Sequence, residues 1–199
     1  MEKTKLFIYG ASGHGKVVAD IAKNNGFKKI IFVDDGDNQY STFEDIKTQN
    51  NIPIALGIGD NVIRKKIFKK LERYNFNIIT LIHSSAIISC SSKIGKGSVI
   101  MPNVVVNANS VIGKGVILNT ACIIEHDNLI KKFVHISPNV SLAGNVTIGK
   151  NSHIGIGSSV IQNVNINKNS IIGAGSVVIN NVKSCSTAIG VPAKIIKRK

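Results

Sequence analysis

From Ile82 to Val178 an Ile, Leu or Val stands at every sixth residue, seventeen times without a slip: Ile82, Ile88, Ile94, Ile100, Val106, Ile112 and onward in one register. A helix repeats its face every ~3.6 residues and a half-buried strand every second residue, so neither produces this period. A coiled parallel β-solenoid does, because each hexad then makes one short strand and one corner. Four residues after each apolar position the side chain is usually small or β-branched, as at Ser98, Val104, Ser110, Val116, Cys122 and Val134. That alternation suits a narrow interior taking one long and one short side chain per hexad. Gly and Asn collect between the strands, as in Gly95-Lys96-Gly97 and Gly149-Lys150-Asn151. Sharp corners call for positive φ, which these residues tolerate.

The remaining composition divides the chain near residue 80. Nine of the ten aromatics precede that point and only Phe133 follows it. Residues 1–80 carry a net charge of +4 and residues 81–199 a net charge of +10. We therefore expect two domains, 1–80 and 81–199. A basic surface suits anionic ligands. No nucleic-acid motif accompanies it, and the lysines are read as spread over the corners, so phosphate-bearing small molecules are the expected partners. No apolar run reaches the ~18 residues of a membrane span, and the short apolar stretch after Lys5 is too brief for a secretion signal. Three widely spaced cysteines, Cys90, Cys122 and Cys185, do not form a disulfide framework. A cytoplasmic protein without membrane insertion is expected, with Cys122 as a small core residue.

The first 80 residues read as an α/β unit. Leu6–Tyr9 is a predicted strand, Gly10-Ala11-Ser12-Gly13-His14-Gly15 a glycine turn, and Lys16–Asn25 a helix. Lys29–Val33 is a second strand closed by Asp34-Asp35. Ile54–Leu56 is a third, followed by Gly57-Ile58-Gly59. Asp60 caps a helix to about Tyr74, and Phe76–Leu81 is a last strand. Strand, glycine turn, helix, and strand ending in an acid is the βαβ arrangement that binds a nucleotide. Its helix N-terminus meets phosphate, and the acid meets ribose or base. The spacing here is G-x-x-G-x-G, which fits a mononucleotide or nucleotide sugar better than a dinucleotide.

The solenoid holds only two acids, Glu125 and Asp127, and they flank His126. A carboxylate bonded to imidazole fixes its tautomer and raises the basicity of the far nitrogen, which makes a general base. Three hexads form one coil, so residues 18 apart stack. His126 then lies one coil from Gly144, and His135 stacks on His153. Stacked imidazoles also admit a zinc reading, in which a third ligand comes from another chain.

These residues together resemble the hexapeptide-repeat acyltransferases, whose solenoid is a left-handed parallel β-helix. Tyr9 to Gly15, Asp34-Asp35, Ile63 to Ile67 and Leu118-Asn119-Thr120…Ile124-Glu125-His126 resemble one subfamily over essentially the whole chain. It contains bacterial sugar N-acetyltransferases that act on UDP-4-amino sugars in bacillosamine synthesis, with sialic acid O-acetyltransferases as relatives. The resemblance implies a Rossmann-like domain fused to the β-helix, a homotrimer with sites between neighbours, and acetyl-CoA as co-substrate with no metal. It implies Ser12, Gly13 and His14 at the phosphates, Asp34 and Asp35 at the nucleoside, Gly59 nearby, and Asn119 near the sugar. His126 becomes the base, with Asp127 and Glu125 beside it. His135, Gly144, Ile156 and Ala174 line the acetyl-CoA groove, and the Gly144 N–H steadies the oxyanion. The alternatives are an O-acetyltransferase acting on sialic acid or a similar sugar, a zinc hydratase of the γ-carbonic anhydrase type, and an idle binding scaffold.

Overall fold

The computed structural model describes residues 4–198. Strand β1 (Lys5–Tyr9) lies between β2 (Lys29–Val33) and β3 (Ile54–Leu56), all parallel, in the order β2-β1-β3. Helix α1 (Gly13–Asn24) links β1 to β2. A one-turn helix, α2 (Phe43–Ile46), follows β2. Helix α3 (Asn61–Arg73) follows β3 and is capped by the Asp60 carboxylate, which accepts from the Val62 and Ile63 N–H groups at 2.8 Å each.

Two expectations fail here. The α1 helix begins at Gly13 instead of Lys16, because Ser12 takes the extended N-cap conformation and the glycine turn is correspondingly shorter. The expected strand Phe76–Leu81 reduces to a single bridge, Ile54 to Ile78. Its end, Leu81–Ile82, is already the first strand of the solenoid. Phe76 and Ile78 are spent filling the core of the first unit instead of extending a sheet.

The solenoid is three parallel faces of two-residue strands paired at steps of 18 residues. The first face starts at Leu81–Ile82, the second at Ile87–Ile88 and the third at Lys93–Ile94. The first face ends in Ser186–Ile189, to which Lys194–Arg198 adds antiparallel. Every sixth residue from Gly97 to Gly175 has positive φ, so the corners recur as regularly as the strands. Gly and Asn hold most of these corners, while Ala121, Asp127 and Phe133 hold three. Inward serines donate to a carbonyl fifteen residues on, as Ser98 does to Gly113 (2.9 Å) and Ser152 to Asn167 (2.8 Å). The interior hydroxyls are therefore satisfied. The lysines are not spread: Lys96, Lys114, Lys132, Lys150 and Lys168 share the corner between third and first faces, one per coil, because they lie 18 residues apart.

The α/β unit packs on the first face and on that same corner. Outward Val99 and Ile117 on the first face are 2 % and 0 % exposed, whereas outward Val111 and Ile123 on the other faces are 40 % and 37 % exposed. Phe133 leaves its corner to meet Phe68, ring to ring at 5.3 Å. No helix among the described residues is long and apolar enough to cross a membrane.

Candidate active site

The first half of the site lies at the carboxyl ends of β1, β2 and β3, where an open parallel sheet forms its crevice. A cavity of about 360 Å³ is lined there by Tyr9, Ser12, Asp34, Asp35, Gly59 and Asp60 among others. Gly10, Gly15 and Gly57 pack backbone on backbone, and a Cβ on any of them would strike a neighbouring backbone atom. Gly13 differs: a Cβ there meets nothing within 4 Å. Two of the three glycines in the turn are thus demanded by packing, while Gly13, at the first turn of α1, opens outward beside helix N–H groups suited to an anion.

Asp34 and Asp35 both line the cavity, and both are already engaged. Asp34 accepts from the Ala11 N–H (2.8 Å) and the Gly36 N–H (3.0 Å), tying the glycine turn to the end of β2. Asp35 accepts from the Tyr9 hydroxyl (2.6 Å), the Phe43 N–H (2.8 Å) and the Lys70 ammonium (3.2 Å). Burial opposes ionisation of Asp35, but these three donors win and hold its carboxyl below the usual range. Burial and the Asp35 bond push the Tyr9 hydroxyl far up, so it stays a donor. The pair therefore builds the rim of the cavity before any ligand arrives.

Gly59 and Asp60 also line a second cavity of about 610 Å³ that runs along the first face past His135 and His153. Arg64 fixes the wall between the two cavities. It is 1 % exposed and donates to the Ile58, Gly59, Gly115, Phe133 and Val134 carbonyls and to the Asn61 Oδ1. Among the described residues no carboxylate pairs with it directly, and burial pulls the guanidinium down to about 9. Arg64 was missing from the expected site, though a signal existed: it sits on the buried stripe of α3 with Asn61, Ile67, Phe68 and Leu71. A cation on an apolar stripe needs partners from elsewhere in the fold.

Three histidines meet at this junction. His14 lies 6.2 Å, ring to ring, from His135, which stacks on His153 at 4.7 Å. Burial lowers the pKa of His14 to about 4, with Arg64 adding to it. Burial, then His153, Arg64 and His14, lower that of His135 to about 3. Both are neutral at physiological pH. Asn119 accepts from the Thr120 N–H at 2.8 Å, which orients its amide, so its Nδ2 donates to His135 Nε2 at 3.2 Å. The proton of neutral His135 then sits on Nδ1, and a contact with the Gly59 backbone is the one effect that raises its pKa. His14 Nε2 has no hydrogen-bond partner among the described residues.

His126 lies elsewhere, at the corner between the second and third faces, with Glu125 and Asp127. Its Nδ1 bonds the Asp127 carboxylate at 2.8 Å. Asp127 holds this position at φ 59°, a conformation that Asp tolerates better than most residues, and its arm is long enough. Glu125 does not pair with His126. It accepts from Asn107 Nδ2 at 2.9 Å, one coil earlier. The His126 ring lies on Gly144, where a Cβ would come within 2.5 Å of the ring. Ile156 and Ala174 lie at a third place, exposed on the corner between first and second faces. Cys122 is buried and its thiol is pushed far up, as a core residue would be. Among the described residues no His, Cys, Asp or Glu cluster has the form of a metal site.

The parts therefore fall into two groups. Ser12, Gly13, His14, Asp34, Asp35, Gly59, Asn119 and His135 gather around the first face. His126, Asp127 and Gly144 occupy the corner opposite that face in a three-sided coil, turned away from the α/β unit of their own chain.

Residues 5–71 match the family described as PglD N-terminal domain. UDP-N-acetylbacillosamine N-acetyltransferase of Bacillus subtilis (strain 168) is 37 % identical over 109 residues, 47 % of this chain and 50 % of that protein. The match thus spans about half the length of that curated relative. GDP-perosamine N-acetyl transferase from Caulobacter crescentus, solved as a histidine-to-alanine mutant with CoA and GDP-perosamine, superposes with a TM-score of 0.94 at 32 % identity, covering 97 % of each chain. The acetyltransferase domain of PglB from Neisseria gonorrhoeae FA1090, solved with acetyl coenzyme A, superposes with a TM-score of 0.89 at 37 % identity, covering 98 % of this chain and 100 % of that one.

Proposed function

The chain belongs to the family of β-helical sugar N-acetyltransferases, and on that premise we propose that it transfers acetyl from acetyl-CoA to the 4-amino group of a UDP-linked amino-deoxy sugar. The observation that carries the reading is the His126–Asp127 pair over Gly144. Asp127 accepts the Nδ1–H hydrogen bond, holds the proton on Nδ1, and so leaves the Nε2 lone pair of His126 as the base. The sugar amine attacks the thioester carbon, and His126 takes the proton that the amine loses. The Gly144 N–H steadies the oxyanion, and the C–S bond then breaks to release CoA thiolate. Transfer is direct, so no cysteine nucleophile is required. Holding both substrates together supplies much of the rate.

The division of labour follows residues 1–80 and 81–199. The nucleotide occupies the cavity at the strand ends, with its phosphates at Ser12, Gly13 and His14 and its nucleoside over the rim built by Asp34 and Asp35. His135 and Asn119 meet the sugar and acetyl end, and CoA runs past Ile156 and Ala174. Because His126 is turned away from its own α/β unit, a neighbouring copy brings the base to each cavity, and a cytoplasmic homotrimer is the assembly.

The test is CoA release with a panel of a UDP-4-amino-6-deoxy sugar, its GDP-linked counterpart, free amino sugars and sialic acid. Turnover of the UDP sugar is expected. Turnover of sialic acid alone would sink the reading, and turnover of the GDP sugar alone would keep the reaction but change the nucleotide. Sharing of the site is read separately, by refolding His126→Ala chains with Asp34→Ala chains. Mixed oligomers recover activity that neither variant has alone if the site lies between copies, and recover none if it lies within one.

A further inference from the structure

We infer that Asn128 is a positioning residue that locks the His126 corner to the Gly144 corner. The inference rests on the roles proposed above for His126 and Gly144. Position 128 is an inward hexad position, and every other one from Ser92 to Val182 holds Ser, Val or Cys. Asn128 is the only amide among them, and it stands directly beneath the His126 corner.

Its side chain is fully used. It is 1 % exposed. Nδ2 donates to the Glu125 carbonyl (2.5 Å) and, across the coil boundary, to the Ala143 carbonyl (3.0 Å). Oδ1 accepts from the Val146 N–H (2.9 Å). One amide thus spans both corners.

The scaffold does not need it. The Glu125 carbonyl already accepts from Ser110 Oγ at 2.7 Å. Over some inward valines the corner of the next coil closes on itself, whereas over Val116 and Val146 no such bond is made by the Val134 or Val164 N–H among the described residues. After Val104, Val134 and Val140 come the bonds Cys122 N–H to Asn119 (3.1 Å), Ser152 N–H to Gly149 (3.3 Å) and Ser158 N–H to Gly155 (3.2 Å). A valine at 128 would leave the Val146 N–H as the Val134 and Val164 N–H groups stand over Val116 and Val146, an arrangement the solenoid already carries. Asn128 keeps the two bonds that an inward serine makes, as Ser98 does with the Gly113 carbonyl and the Val116 N–H, and adds a donor bond to the Glu125 carbonyl.

The Ala143 carbonyl and the Gly144 N–H are two ends of one peptide group. Donation to the carbonyl polarises that group and strengthens its N–H as a donor. The Gly144 N–H has no backbone acceptor among the described residues. By taking the Val146 N–H, Asn128 also ties the 143–146 corner to its own coil. The amide therefore prepares the oxyanion donor and holds it at a set distance from the base.

Asn128→Val and Asn128→Ser test this. With valine we expect a thermal midpoint equal to or above that of the parent, KM for both substrates within about twofold, an unchanged pH profile, and kcat lowered at least tenfold. Serine, which can donate to Ala143 as the other inward serines do, recovers most of that loss. The amide resonance of Gly144 in a 15N–1H correlation spectrum moves upfield in the valine variant and not in the serine variant. An unmoved Gly144 resonance, an unchanged kcat, or a fall in thermal midpoint that parallels the loss of kcat overturns the inference. If the resonance moves but the parent enzyme acetylates no sugar, the clamp stands and the proposed reaction fails instead.

Discussion

The α/β unit and the solenoid are built on opposite rules. In the solenoid a side chain's place follows from its number modulo six, and each coil touches only its neighbours. In the α/β unit the decisive contacts join residues far apart and without period, such as Tyr9 to Asp35 and Arg64 to Phe133. The difference teaches where to look for chemistry. In the solenoid it lies in departures from the period: His126 at a corner, Gly144 beneath it, and an amide at position 128. In the α/β unit there is no period to depart from, and only the hydrogen-bond network separates a builder of the cavity from a group left free for a ligand.

The comparison can be broken in several places. The largest effect is expected for His126→Ala, which should lower kcat/KM about 100- to 10,000-fold, as loss of a general base does. Circular dichroism and oligomer size should stay unchanged, because the position is an exposed corner. Normal turnover by this variant would remove His126 from the mechanism. Arg64→Met strikes the other region: it removes a donor from five backbone carbonyls, of which Val134 keeps the Ile117 N–H, and should cost on the order of 3 kcal/mol in denaturant unfolding. It should also raise KM for the nucleotide sugar, since Gly59 loses its tether. A stable variant with unaltered KM would show that the wall between the cavities does not depend on Arg64.

A pH titration sharpens the contrast further. His14 and His135 have folded pKa values lowered to about 4 and about 3, against an ordinary value near 6.5. Below 6.5 the unfolded chain takes up protons that the folded chain does not, so stability falls as pH drops from about 6.5 toward 4. Urea midpoints between pH 4 and 8 should trace that loss, and His14→Gln should flatten part of it. A midpoint independent of pH in this window would mean the two imidazoles are not neutral in the fold. The smallest effect belongs to Cys122→Val, an inward position flanked by valine one coil before and after. Activity should be unchanged and stability within about 1.5 kcal/mol; a loss of acetyl transfer would reopen the case for a covalent intermediate.

How much could be read in advance follows the same division. Seventeen hexads, their small partners and their corners were legible because a period repeats one local decision many times. The stacking of His126 on Gly144 and of His135 on His153 followed from counting by 18. The engagement of Asp34 and Asp35 did not, since Tyr9 and Ala11, Phe43, and Lys70 reach them from three separate segments. The strand expected at Phe76–Leu81 failed for a related reason. A short apolar run looks alike whether it joins a sheet, fills a core or opens a coil, and here it is divided among all three. Glu125 looked equivalent to Asp127 as a neighbour of His126, but only the residue at the left-handed corner turns its carboxylate onto the imidazole.

The left-handed corner at every sixth residue gives the solenoid something like a reading frame. Removing one residue would turn every downstream inward side chain outward. It would also bring the inward valines, such as Val104, Val116 and Val134, to corners whose backbone they cannot adopt without strain. Removing or adding eighteen residues would restore the frame and change only the height of the prism. Length in this region is therefore quantised in whole coils, and a catalytic corner inherits its alignment with its neighbours from the frame.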